Sequence, residues 1–390
     1  MPFSSLFVFD SLTAIAMAIF AGLSLATFIG APRRDRERAQ LSTLAFITVG
    51  TLLAYSSASL PLFTLGWLIT VIPYMGGASI PFAPKLALGA STVVLAAGVL
   101  TSYSPTSTAQ TAAFVLLILA ALIRKGIFPF HSWVTIGFER SPLLPLGLLL
   151  NGHLGLFLLL RFAIPQFSAH AREALPFLSI LALLTALYTA VLVLSQTKAL
   201  RILALLSVSQ ASFLLAGLQS RNEVGVAGAL IHWSVVAVAT TGLYIIYRSL
   251  EVRYSRTSSL DGFLGLVNHA PRLAIFFALC GFALIGLPGT LGFAAEDLLF
   301  HGSLESHSLL GVTLPLATAL NGISLYRLFS RLFLGRASNS VPPVPDALPR
   351  ERFVLIAASA FLLFFGFVPS ILVTAHTATA AQLAQLLGER

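Results

Sequence analysis

Apolar runs of about twenty residues follow one another along almost the whole chain, separated by short polar or basic segments. A run of that length is what a helix needs to cross the hydrocarbon core of a bilayer. The runs fall near 8–30, 41–57, 60–77, 85–103, 110–138, 142–163, 174–196, 199–218, 225–248, 271–302, 308–335 and 352–374. They predict an all-α membrane protein of about twelve transmembrane helices. The fifth and tenth runs are too long for one span, and each carries a breaker. The fifth breaks in "GIFPFHSW" at Pro129, and the tenth in "GLPGTLGF", Gly286 to Phe293. Non-helical backbone at membrane depth is tolerated where it is buried in protein or lines a hydrated cavity, so the two breaks mark a candidate conduction site. They lie five spans apart. An odd offset gives the two units opposite topology, which predicts two inverted five-helix repeats, each with a broken helix.

The polar segments orient the chain. The first loop, "APRRDRERAQ", holds Arg33, Arg34, Arg36 and Arg38. Cytoplasmic loops carry the excess of Lys and Arg. Alternation puts Lys85, Arg140, Lys198, the group Arg248, Arg253 and Arg256, and the group Arg327, Arg331 and Arg336 on the same side. The opposite loops hold few cations, such as Arg172 and Arg221. Both termini are expected outside. The N-terminus has no basic n-region and no clear cleavage site, so it reads as a retained span. The tail "TATAAQLAQLLGER" from Thr377 predicts a short amphipathic helix at the interface. The segmentation is 1–40 (first helix and basic loop), 41–165 (first unit, broken near 110–138), 166–335 (second unit, broken near 271–302) and 336–390 (last helix and tail).

Composition narrows the function classes. Of 390 residues, 57% are hydrophobic and 9% charged, against roughly 25% charged in a soluble domain. No room is left for a soluble domain. The net charge of +9 belongs against anionic lipid, not nucleic acid. The one cysteine, Cys280, permits no internal disulfide and no cysteine-based metal site. No phosphate loop, dinucleotide fingerprint, HExxH or haem-spaced histidine pair is present. No cofactor, metal or catalytic residue is expected.

An ionisable group inside an apolar span costs about 2.5–3.5 kcal/mol on insertion scales, so each is a functional candidate. Asp10, Arg124, Lys125, His131, His153, Arg161, Lys198, Arg201, His232, Glu296 and Asp297 are in this class. Arg124 and Lys125 end the first half of the broken helix. Freed carbonyls there favour a cation; alternatively the pair sits at a hydrated break and shapes the field for a moving proton. Lysine can lose its proton on desolvation, whereas arginine in practice cannot. His153 lies near mid-span beside Asn151 with no carboxylate within a turn. It suits proton transfer, or a neutral histidine bonded across to another helix. His131 reads as an interfacial packing residue. His232 shares a helix face with Val236 and Thr240. Glu296, just after the second break, is the best buried-acid candidate, although a helix N-terminus also favours carboxylates for structural reasons.

Three stretches, "IFPFHSWVTIGFERSPLLPLGLLLNGHLGLFLLLRF", "SQTKALRILALLSVSQASFLLAGL" and "LIGLPGTLGFAAEDLL", match in order and spacing the antiporter-like membrane subunits of respiratory complex I. The region from about Leu6 to Gly335 resembles that family and its relatives in Mrp-type sodium/proton antiporters, membrane-bound hydrogenases and bicarbonate-uptake complexes. The resemblance implies two inverted units, each with a half-channel, joined by a polar line at mid-membrane. It also implies a multi-pass protein of a cell's inner membrane, with other membrane subunits and a peripheral soluble subunit as partners, possible membership of an NADH-quinone type oxidoreductase, and two further N-terminal spans that this chain lacks. At the family's proton-path positions, the glutamate of the first unit is Leu68. The lysine seven before the histidine of the break is Arg124, with Lys125 beside it. The next helix's lysine is His153. The ninth span has His232, Val236 and Thr240 where the family has a first histidine, a main histidine and sometimes a lysine. The acid or lysine after the second break is Glu296. The resemblance therefore implies a proton path through Lys125, Arg124, His153, His232 and Glu296, altered in its first unit. The competing expectation is a non-pumping structural subunit that keeps the fold and docks partners. A stand-alone solute transporter finds no polar pocket in the sequence.

Overall fold

A computed structural model describes residues 6–77, 80–218, 220–254, 257, 260, 262–306, 308–336 and 345–388. Arg256, assigned above to the basic side, lies outside them. The described residues are helical and form no strand beyond an isolated bridge between Phe7 and Ser57. The helices are α1 Ser11–Gly30, α2 Arg38–Ser56, α3 Leu60–Gly76, α4 Phe82–Ser102, α5 Ser107–Lys125, α6 Ser132–Arg140, α7 Leu143–Asn151, α8 Leu154–Leu158, α9 Ile164–Gln166, α10 Ser168–Leu194, α11 Ala199–Leu218, α12 Glu223–Arg253, α13 Pro271–Leu284, α14 Leu291–Ser306, α15 Ser308–Phe333, α16 Pro349–Phe367 and α17 Ser370–Leu387. Among the described residues, eight helical segments are long and apolar enough to cross a membrane, and the bent pair α16–α17 is a ninth candidate. The segment Leu143–Gln166 and α12 are wholly buried in the protein. They form its centre, while α1, α4 and α10 keep an apolar outer face.

Both predicted breaks are present. The α5 helix starts from a Thr106 cap, runs to Lys125 and stops at Gly126, whose φ of +73° is the left-handed conformation that glycine adopts freely. α6 resumes at Ser132. The second break lies between Leu284 and Leu291, with Gly286 at φ +65°. A third interruption was not expected: the sixth span divides at Gly152–His153 into α7 and α8, followed by a π-helical turn over Leu159–Ala163. The tail helix also differs from expectation. It begins at Ser370, turns 79° away from α16 and lies across one end of the bundle. Thr379 meets Ser11 at the start of α1, and the Leu386 carbonyl accepts from Arg172 at the start of α10. A stripe of Leu372, His376, Ala380, Leu383 and Leu387 is buried, so the helix is amphipathic as its sequence suggested.

Long-range ties gather the basic loops at the other end. Asp35, in the first loop, accepts two bonds of 2.6 Å from Arg248 near the end of α12. Arg253 donates to Glu351 at the start of α16 at 2.7 and 2.8 Å. Leu260 N–H bonds the Thr197 carbonyl of the α10–α11 loop, and Pro84 of α4 lies beside Gly137 of α6. Lys198 and Arg201 each pair with Glu139 at 2.9 Å. These contacts place the loops after α1, α3, α6, α10, α12 and α15 together, the same set that alternation assigns to one side.

The α2–α3 contact is unusually close. A Cβ on Gly66 would lie 2.6 Å from both Ala54 N and Gly50 O, and neither backbone atom can yield. Close approach through small residues is a common way for helices to associate in lipid. Gly66→Ala should therefore lower the thermal unfolding midpoint of the detergent-purified protein, with a destabilisation of about 1–3 kcal/mol from overpacking. Glu139 supplies a pH-dependent term. Burial pushes its carboxyl up, but the contacts from Lys198 and Arg201 outweigh burial and hold it below the ordinary value of 4.5. A depressed folded-state value stabilises above the unfolded one and is lost as pH falls through the folded one. The stability difference between wild type and Glu139→Gln should narrow in unfolding scans as pH is lowered below 4.5.

Candidate functional site

Arg124 and Lys125, the last two residues of α5, both turn inward, with Arg124 3% and Lys125 9% exposed. Arg124 reaches α3. Its Nη2 donates to Thr70 Oγ1 at 2.6 Å, and its guanidinium stands 4.7 Å from the centre of the Trp67 ring. Tyr74 is within electrostatic range. Leu68, at the position the resemblance gives to a carboxylate, lies on the outer face of α3 and is 43% exposed. A hydroxyl and an aromatic face therefore receive the arginine within this chain. Lys125 Nζ donates to the Leu150 carbonyl at 2.9 Å. That carbonyl belongs to the last turn of α7, not to the lysine's own helix. The helix-end attraction anticipated for the pair is present, but the neighbouring helix supplies it.

The break at Gly152–His153 is held from several sides. Tyr55 O–H donates to the Gly152 carbonyl. Asn151 Nδ2 donates to Thr241 Oγ1 at 2.8 Å and to the Ala237 carbonyl at 3.2 Å, and Thr240 donates back to Asn151 Oδ1 at 3.1 Å. His153 itself sits at φ +43° and is 1% exposed. Its ring is 5.6 Å from that of Trp233, and neither ring nitrogen has a hydrogen-bond partner. Lys125 and His232 both lie within its electrostatic range.

His232, on α12 two turns before Thr240, is fully buried and stacks on Phe213 at 5.5 Å. Both its nitrogens lack bonded partners, with the Gln210 backbone nearby. The Gln210 side chain, also fully buried, has neither amide atom bonded. One residue earlier, Ser209 accepts from Asn321 Nδ2 at 2.8 Å. Asn321 is one helical turn beyond Thr318, whose hydroxyl donates to Glu296 Oε1 at 3.3 Å. Glu296 is 4% exposed, and its other oxygen faces the second break, where a Cβ on Gly286 would come within 2.4 Å. The adjacent Asp297 is 52% exposed at its side chain. A row of buried polar groups thus leads from Thr70 and Arg124 through Lys125, Asn151, Thr240, His232, Gln210 and Asn321 to Glu296. His153 lies between its Lys125 and His232 members, and the groups are spaced from the first predicted break to the second.

Six members of the candidate class lie elsewhere. Asp10 caps α1, accepting from Thr13 N at 2.9 Å, and pairs with Arg161. Lys198 and Arg201 pair with Glu139 at the basic end, so they are not mid-membrane charges. Asp297 is surface-exposed. His131 starts α6 and packs between Phe128 and Tyr188, the packing role expected of it. Sequence reasoning passed over Thr70, Tyr55, Gln210, Thr318 and Asn321. The Asn-Gly step at 151–152, a turn signal inside an apolar run, was the available sign of the third break.

A profile of the NADH:quinone oxidoreductase/Mrp antiporter transmembrane family matches residues 84–321. NAD(P)H-quinone oxidoreductase chain 4 1 of Synechococcus elongatus is 29% identical over 286 residues, covering 70% of this chain and 52% of that protein. NADH-quinone oxidoreductase subunit M of Escherichia coli is 26% identical over 271 residues, covering 67% and 52%. The chain spans about half the length of the curated relatives it matches. A chain of respiratory complex I from Thermus thermophilus superposes with a TM-score of 0.86 at 23% identity, covering 98% of this chain and 86% of that one. A chain of the Mrp complex from Dietzia gives 0.84 at 17%, with the same coverage. At these identities the structural likeness establishes the fold.

The arginine contact is separable from the rest of the row. Thr70→Val removes the hydroxyl acceptor from a buried guanidinium whose Nη1 already lacks a partner. Loss of a hydrogen bond to a charged group costs about 1.5–3 kcal/mol. Thermal unfolding should report a loss of that size in Thr70→Val and little change in Thr70→Ser.

Proposed function

Because this chain belongs to the NADH:quinone oxidoreductase/Mrp antiporter transmembrane family, we propose that it is an antiporter-like, proton-conducting membrane subunit of a multisubunit complex. The observation that carries this reading is the buried row between the two breaks, with protonatable side chains at Lys125, His153, His232 and Glu296. Unpaired ionisable groups in the membrane interior are costly to insert. Two buried histidines, one with both ring nitrogens unbonded and one with at most the Gln210 backbone beside it, are poor structural elements and suitable relay groups. Lys125 exchanges protons at the first break, Arg124 biases the field there, and Glu296 exchanges at the second. The units 41–165 and 166–335 act as the inverted halves, supported by a positive-φ glycine at each break.

The basic end faces the cytoplasm of a cell with the protein in its inner membrane, and both termini face outward, because cationic loops are retained on the cytoplasmic side. Neighbouring membrane subunits flank the bundle, and a peripheral soluble subunit docks on its basic end. The energy source lies in those partners.

One specific observation favours a second reading, a non-pumping structural subunit. Arg124 is clamped by Thr70 and Trp67, and no carboxylate faces it from α3. Proton flux through liposomes containing the whole complex separates the two. Glu296→Gln and His153→Leu should each reduce flux by about a hundredfold, the lower end of what a positioned proton-transfer group contributes. Wild-type flux in both, with assembly intact, establishes the structural reading instead.

A further inference from the structure

At the basic end, the first loop, the last turns of α12 and the first turn of α16 enclose a cavity of about 610 Å³. Four guanidinium groups line it, Arg33, Arg34, Arg253 and Arg350, against one carboxylate, Glu351. That carboxylate is already committed to Arg253 Nη2. Three nearby donors are unbonded. Arg253 Nη1, Arg350 Nε and the hydroxyl of Ser249 have no hydrogen-bond partner, and Ser249 is 1% exposed. With four guanidinium groups against one carboxylate that is already paired, the excess positive charge of the lining selects an oxyanion such as a phosphate.

Directly below, α1 and α16 flank an apolar groove of about 330 Å³ floored by Val238 of α12. On α1 it runs from Ala18 to Ile29, and on α16 from Phe361 to Phe353. Its upper ends stop three to five residues short of Pro32 and Leu348, which line the cavity. At 1.5 Å per residue the α1 wall is about 16 Å long, close to one leaflet's share of a hydrocarbon core about 30 Å thick. Gly22 opens onto it: nothing lies within 4 Å of where its Cβ would be.

A free phosphate would use the cavity alone. A phospholipid would use both, with its headgroup among the arginines and an acyl chain between α1 and α16. We propose that this surface is a binding site for one anionic phospholipid of the leaflet on the basic side. The site is distinct from the buried polar row, and its occupancy does not depend on proton conduction.

The test uses the full chain purified in detergent, titrated with phosphatidylglycerol, phosphatidylcholine or inorganic phosphate. Native mass spectrometry counts retained lipid, and thermal unfolding reports stabilisation. Wild type should retain one phosphatidylglycerol in preference to phosphatidylcholine. Arg34→Gln with Arg350→Gln should weaken retention by tenfold or more, on the order expected for removing two surface cations. Gly22→Leu fills the groove and should weaken lipid retention while leaving any response to inorganic phosphate unchanged. Equal retention of phosphatidylglycerol and phosphatidylcholine would overturn the proposal. So would phosphate stabilising as well as phosphatidylglycerol with Gly22→Leu silent. If the double arginine variant does not fold, the wild-type lipid comparison and Gly22→Leu still decide.

Discussion

Lipid offers a freed backbone group no partner, so a helix that stops inside a membrane must have its loose ends bonded by its neighbours. This requirement organises the centre of the protein. At the first break, Trp133 Nε1 donates to the Ile123 carbonyl at 2.9 Å, and Thr185 of α10 accepts from Phe128 N at 3.1 Å. At the third, Lys125 satisfies Leu150 and Tyr55 satisfies Gly152. Trp133 ties the two halves of the first break to each other, and the other ties reach a different helix. The side chains that close the interruptions are brought to the middle of the bundle by necessity.

Charges at the ends and charges in the middle are treated differently. At the basic end, Arg248 with Asp35, Arg253 with Glu351 and Lys198 with Glu139 are opposite-sign pairs that fasten loops to one another. Such charge-assisted bonds fix the loops they join in one geometry. In the interior, Lys125 has a carbonyl, Glu296 has a hydroxyl, His232 has at most the Gln210 backbone, and neither nitrogen of His153 has a partner. Leaving buried polar groups unsatisfied costs free energy that a purely structural core would avoid. The contrast separates the ends, where charges are paired, from the middle, where they are not.

The two breaks also carry opposite electrostatic character. One carries an arginine and a lysine, the other a glutamate, and the groups between them are amides, hydroxyls and imidazoles. α3 reinforces the asymmetry. It turns Trp67 and Thr70 to Arg124 and sends Leu68 outward, which holds the guanidinium beside Lys125.

The sequence by itself determined that the chain is built of apolar helical segments, that cations collect in one alternating set of loops, two of the three breaks and the protonatable side chains that lie between them. These follow from local hydropathy, charge counting and helix breakers, properties a segment carries wherever it packs. It also led to Glu296 and His153 as the groups worth following. Only the tertiary structure decided that Lys125 answers a carbonyl of α7, that Glu296 is buried while Asp297 faces outward, that Gln210 and Asn321 belong to the row, that Asp10 is a cap, and that α17 turns across the end of the bundle. Each of these depends on how far a helix is rotated about its axis and on which neighbour lies against it. In a chain apolar on nearly every face, hydrophobic periodicity does not specify that rotation; packing of small residues such as Gly50 against Gly66 does.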